Sequence, residues 1–301
     1  MDFPGSLASL PYGLEDPTRG FSAPPAVLPS PPDALPGSPK VLWRNRIQIP
    51  INEPLIKKYI RFYQGEGRST VLDALDNART CLPQMTEILE SYGVPGELVW
   101  VVLVESRFER HASNKGAVGY WQLMAGTARD MGLRVDRWVD ERKDPIKSTK
   151  AAAKYLKLLY ERYDSWLLAL AAYNAGAVPA SCVAGSRCVK DGELYGRKLP
   201  ARFRAYVSKV MAAVAVLREP EKYGFESPKY IKPKGFDPVM VRSPLKLKEI
   251  ANWIDVPVRQ LKELNPSLRR DAVPPDSGFA LRLPSGSREK FKFAYDVHTR
   301  R

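Results

Sequence analysis

The stretch Leu98–Val104, LVWVVLV, is apolar at every position and ends in a carboxylate, Glu105, and a hydroxyl, Ser106. An element without a polar face must be buried all round. The rest of the chain therefore has to wrap it, and 44% hydrophobic residues make a core of that size feasible. Periodicity cannot separate a buried helix from a buried strand in so short a run. Pro95 suits a helix N-terminus and Glu97 suits the positive end of a helix dipole, so the reading favours a helix. A carboxyl group at the end of such a helix loses hydration, which raises its pKa. It then stays protonated near neutrality, as a general acid must. The simpler alternative is a helix-end glutamate paired with Arg107 or Arg110.

Helical patterns surround this run. PLIKKYIRFY places Leu55, Ile56, Tyr59, Ile60 and Tyr63 on one stripe, and PQMTEILESYG stops at Gly93. NKGAVGYWQLM, with Gly116 and Gly119, reads as a turn or small hairpin. In DPIKSTKAAAKYLKLLYERY, Asp144 is placed to cap a helix whose first residue is Pro145. WLLALAAYNAG is a second buried helix, and LPARFRAYVSKVMAAVAVLRE a last long one. Residues 1–40, rich in Pro, Gly and Ser, cannot bury enough to fold and read as disordered. The Pro-rich ESPKYIKPKGFDP reads as a linker to a small unit. That unit has a strand near Val239 to Val241, helices in LKLKEIANWI and PVRQLKELNP, and a strand in FALRLP.

A net charge of +14 points to an anionic partner: nucleic acid, a membrane surface or an acidic wall polymer. No run of 18 apolar residues spans a membrane. The first 20 residues have neither a basic n-region nor an apolar h-region, so either the chain is cytosolic or a targeting segment lies outside it. His111 and His298 lie far apart and no zinc spacing occurs. Neither metal nor cofactor is expected.

Three spaced motifs, Glu-Ser in ESRFERHA, Gly-x-x-Gly-x-x-Gln in GAVGYWQ, and AYNAG, occur in one order over residues 52–218. In this the chain resembles the lytic transglycosylases of the soluble-lytic-transglycosylase type, and among them the membrane-bound murein transglycosylase D group. The resemblance implies a mainly α architecture. A lysozyme-like helical catalytic domain with a small hairpin (residues 41–230) is followed by a small α+β LysM-like domain (237–301). Asn265 and Pro266 match the usual Asn-Pro of LysM modules, whereas SPLKL replaces their usual Gly-Asp-Thr-Leu start.

The resemblance also implies roles. Glu105 is the only catalytic acid. Ser106 orients it or the substrate's acetamido group, unless its hydroxyl simply bonds backbone carbonyls. Gln122 is the cleft amide, and Tyr173 and Asn174 line the cleft. Tyr206 occupies a second cleft-tyrosine position, although Arg202 and Phe203 replace the family's Glu-Thr before it. Gly116 and Gly119 serve backbone shape. Tyr120 and Trp121 either stack on sugars or are buried. Glu109, Asp140 and Asp144 are assigned to a surface charge, a loop contact and the helix cap, which leaves no second acid of the kind most glycosidases use. The family's chemistry is intramolecular: the muramic acid C6 hydroxyl attacks C1 and leaves a 1,6-anhydro end.

The expected substrate is thus the peptidoglycan glycan strand, in the periplasm or cell envelope. Cell-wall protein partners stay open. A hydrolytic muramidase of goose-lysozyme type and a non-catalytic wall-binding scaffold are the rival readings. A nucleic-acid partner, suggested by the helix-turn-helix rhythm of LKEIANWIDVPVRQLKELN, is disfavoured by the flanking strands and the motifs upstream. The oxidising compartment implied by the family leads to an expected Cys182–Cys188 disulfide with Cys81 a buried free thiol. Because every catalytic motif precedes residue 218, the C-terminal unit is expected to anchor without affecting the cleavage of short glycans.

Overall fold

The computed structural model describes residues 46–176, 200–275 and 278–299. Its helices are α1 (Pro54–Gln64), α2 (Arg68–Ala78), α3 (Leu82–Ser91), α4 (Val101–Ser106), α5 (Ala125–Asp130), α6 (Pro145–Tyr163), α7 (Trp166–Ala175), α8 (Ala201–Arg218), α9 (Leu247–Ile254), α10 (Val258–Leu264) and α11 (Arg288–Thr299). Strands β1 (Phe236–Val241) and β2 (Phe279–Pro284) pair antiparallel, with Phe236 opposite Pro284 and Val241 opposite Phe279. The chain is mainly α, as expected.

The apolar run is helical throughout but changes pitch. Gly96–Trp100 forms a 3-10 turn that continues as α4 from Val101. Every residue from Gly96 to Leu103 is buried. Glu97 lies in the first turn, as expected, and an ion pair holds it there as well. It is 0% exposed and its two oxygens take the Arg218 guanidinium, with Nε 2.7 Å from Oε1. The Ile47 N–H donates to the same carboxylate at 3.2 Å, and Arg218 donates to the Ile47 carbonyl at 2.8 Å. A fully desolvated carboxylate needs such compensation, and the pair ties the 3-10 turn, the end of α8 and the residues before α1 together.

Around this centre, α8 packs on α1, α4 and α7, while α6 packs on α3 and α7. Asp144 caps α6 as expected, accepting from Ile146 N at 3.0 Å and Lys147 N at 2.9 Å. Ser165 caps α7, whose residues Leu167–Ala172 are buried on every side. Gly176, at φ +80°, closes that helix in a conformation that favours glycine.

A second core gathers β1, β2, α9, α10 and α11 around Leu247, Ile250, Leu281, Leu283 and Phe291. Helix α11 is an addition that the sequence reading did not anticipate. Phe291 is its only fully buried residue, and Tyr295 stacks on that ring at 5.3 Å. Val139, from the loop before α6, is 0% exposed and belongs to this second core. Among the described residues no helix is long and apolar enough to cross a membrane.

Candidate active site

Glu105 sits at the C-terminal end of α4, where Arg107 (φ +56°) and Phe108 (φ +59°) stop the helix in consecutive left-handed conformations. Non-glycine residues held there store strain, which persists only when the surroundings over-determine it. The Asn77 amide fixes the turn by donating to the Arg107 carbonyl at 3.0 Å. Neither neighbouring arginine pairs with Glu105. Arg107 lies 3.4 Å from Glu109, and Arg110 donates to the Tyr120 hydroxyl at 2.9 Å.

The partner of Glu105 is Tyr206 on α8, whose hydroxyl donates to Oε1 at 2.6 Å. Glu105 as a residue keeps an intermediate exposure, yet protein surrounds its carboxyl closely. Desolvation lifts its pKa from 4.5 to about 7, against the opposing pull of the Tyr206 hydrogen bond and the Lys209 charge. No second carboxylate among the described residues contributes. Burial, then the nearby Glu105 charge, holds both Tyr206 and Tyr173 well above the ordinary tyrosine pKa, so both remain neutral donors. Lys209, one turn beyond Tyr206, is itself lowered by burial.

The hairpin expected around the two glycines is present as bridges Ala112–Val118 and Val118–Leu123. It is fastened to the acid's helix and to α7. The Ser106 hydroxyl lies 2.7 Å from the Tyr120 carbonyl and 3.3 Å from that of Val102. The Tyr173 hydroxyl donates to the Trp121 carbonyl at 2.7 Å. Tyr120 and Trp121 are buried, and the Trp121 indole donates to Thr149 Oγ1 at 2.9 Å, so of the two readings for these rings burial holds. Gln122 follows at φ +48°, its Nε2 donating to the carbonyls of Gly119 at 2.8 Å and His111 at 3.2 Å. Its amide oxygen has no partner among the described residues. Asn174 is exposed on α7, next to Tyr173.

Two contributors, Lys209 and Arg142, escaped the sequence reading, and Asp140, expected as a loop contact, is Arg142's partner. Lys209 was signalled only by its i+3 spacing from Tyr206. Asp140 and Arg142, 3% and 5% exposed, form a two-armed ion pair with Nε–Oδ1 2.8 Å and Nη2–Oδ2 2.9 Å. Arg142 Nη1 then donates to the carbonyls of Gly116 and Leu123, each at 2.9 Å, clasping both sides of the hairpin. Gly119 packs so closely on this segment that a Cβ would fall 1.9 Å from the Arg142 carbonyl oxygen.

Among the described residues no three His, Cys, Asp or Glu side chains gather as a metal site would require. Cys81 is a buried free thiol, its pKa pushed up to about 12 by desolvation. Cys182 and Cys188 lie outside the described residues, and with them the expected disulfide.

Two family models match the chain. Residues 85–187 match the transglycosylase SLT domain, a range that includes Glu105, Gln122 and Tyr173 and stops before Tyr206. Residues 235–299 match the LysM-like domain of lytic transglycosylase MltD. The membrane-bound lytic murein transglycosylase D of Escherichia coli, from strain K12 and from strain O6:H1, is 29% identical over 231 residues, covering 74% of this chain and 50% of that protein. The membrane-bound lytic murein transglycosylase F of Cellvibrio japonicus is 34% identical over 108 residues, 32% of this chain and 21% of that protein. The chain spans about half the length of the transglycosylase D proteins it matches. It joins a transglycosylase SLT domain to a LysM-like domain of the MltD kind.

Proposed function

We propose that this chain cleaves the β-1,4 bond between N-acetylmuramic acid and N-acetylglucosamine in peptidoglycan, with Glu105 as its sole acid and base. The observation that carries the reading is the state of Glu105. Its pKa is near 7, one tyrosine hydroxyl bonds it, and among the described residues no second carboxylate acts on it. A group titrating near neutrality can give its proton to the glycosidic oxygen in one step and take one back in the next. With no second acid beside it among the described residues, the substrate supplies the nucleophile in this reading. Its acetamido group assists departure of the leaving sugar, and its C6 hydroxyl, deprotonated by Glu105, attacks C1. A tethered hydroxyl gains a large effective concentration over water.

The geometry supports a role for each of the other residues. Tyr206 holds Oε1 and stabilises the ionised form after proton transfer. Ser106 acts through backbone by fixing the hairpin beside the acid, and Tyr173 does the same from α7. The amide oxygen of Gln122, without a partner among the described residues, can accept from an acetamido N–H, and exposed Asn174 extends the substrate surface. The net charge of +14 suits an acidic wall polymer, and the envelope is where such a polymer is met. In this reading residues 41–230 carry the chemistry, and 237–301 add wall contacts.

Replacing Glu105 with Gln keeps the shape and removes the proton. Digestion of purified sacculi by a folded Glu105→Gln protein should fall at least about 100-fold. Near-normal digestion would eliminate Glu105 as the acid, whereas a wild-type chain that binds sacculi without digesting them would be a wall-binding scaffold.

A further inference from the structure

We propose that the C-terminal module is a positioning element of the active site as well as a wall-binding unit; this rests on the function proposed above. The two units do not meet as a tether and a passenger. Val139 is wholly buried in the module's own core and pairs with Leu268 across a β-bridge. Next to it, the Asp140 N–H donates to the Ser267 carbonyl at 2.7 Å, and the Arg269 N–H donates to the Trp138 carbonyl at 2.9 Å. At the far end of the same loop, Arg282 on β2 reaches the other oxygen of the α6 cap, with Nη1 2.7 Å from Asp144 Oδ2. Asn265 holds Arg282 by two backbone bonds, donating to its carbonyl at 2.8 Å and accepting from its N–H at 2.9 Å.

The module therefore grips the loop through the backbone of Asp140 and the side chain of Asp144. Between those residues stands Arg142. Its guanidinium is oriented by the Asp140 carboxylate and clasps the hairpin at Gly116 and Leu123. The hairpin in turn carries Gln122, and its Tyr120 carbonyl meets Ser106, the residue after the acid. Each link is buried or part-buried, where polar contacts are directional and costly to break. A module that only anchored would need none of them.

The test is made in the full chain. Arg282→Met should lower kcat on short soluble glycans about ten-fold, with KM and sacculus pelleting near wild type. Arg282→Lys should recover part of the loss, because an ammonium still pairs with Asp144. Backbone hydrogen exchange at residues 117–123 should accelerate in Arg282→Met and return toward wild type in Arg282→Lys. Both effects are required, so unchanged kcat, unchanged exchange, or a loss confined to sacculus pelleting would each overturn the proposal. Should Arg282→Met fail to fold, Arg269→Ala removes the exposed contact to the Asp136 carbonyl and is held to the same two readouts. If the wild-type chain digests neither soluble glycan nor sacculi, the proposed function itself fails; with an active wild-type chain, unchanged kcat or exchange overturns this proposal alone.

Discussion

Burial raises the Glu105 carboxyl toward neutrality, and the Tyr206 hydroxyl at 2.6 Å works against it. The hydrogen bond favours the ionised form, so its loss must raise the pKa further. Hydrogen bonds to charged groups contribute about 1.5–3 kcal/mol, equivalent to roughly one to two pH units. Tyr206→Phe should therefore move the alkaline limb of the kcat/KM profile upward from about 7 by at least roughly one pH unit. The protonated acid persists to higher pH, while the ionised form needed for the second step loses its donor and kcat drops. A limb that stays in place or moves down would show that the Tyr206 bond does not tune the acid. Glu105 was legible in the sequence because an acid that ends a buried run has few bland explanations. Lys209 was not, because its influence depends on how α8 is turned against α4. That rotation is a property of packing, not of local pattern.

The hairpin shows how tightly an element can be specified by one backbone contact. Gly116 (φ +86°) and Gly119 (φ +82°) share a left-handed conformation, but their surroundings differ. A Cβ at Gly116 meets nothing within 4 Å, whereas one at Gly119 would collide with the Arg142 carbonyl. Gly116→Ala should cost only the left-handed strain, about 1–2 kcal/mol by thermal melting, and keep most activity. Gly119→Ala must displace the hairpin from Arg142 and should lower sacculus digestion by about 100-fold, the order of loss that misplacement by about an ångström produces. Equal effects of the two substitutions would mean that the Arg142 contact does not set the hairpin's position. The strong helices were readable from period and caps, Asp144–Pro145 above all. Helix α11 was not, because Phe291 and Tyr295 are too few apolar positions to stand out against exposed Phe293 and Val297. The pitch change inside Gly96–Ser106 was also hidden, since a run without a polar face reports burial but not helical period.

Across the whole molecule, the 133–144 loop belongs to both units. It lies between the hairpin and α6 in sequence, yet sends Val139 into the module's core. The sequence reading separated an SLT-type part from a LysM-like part and expected them to act independently. Val139 gave no sign of its destination, because one valine in a polar loop fits either core equally well. The central claim, that a single acid directs the substrate's own C6 hydroxyl to C1, is tested by the product. Purified sacculi digested by the wild-type chain should be analysed by mass spectrometry before and after borohydride treatment. The account predicts muropeptides that end in 1,6-anhydro-N-acetylmuramic acid, lighter by one water than muramidase products and inert to borohydride. Predominantly reducible N-acetylmuramic acid ends would show that water attacks C1, and would contradict it.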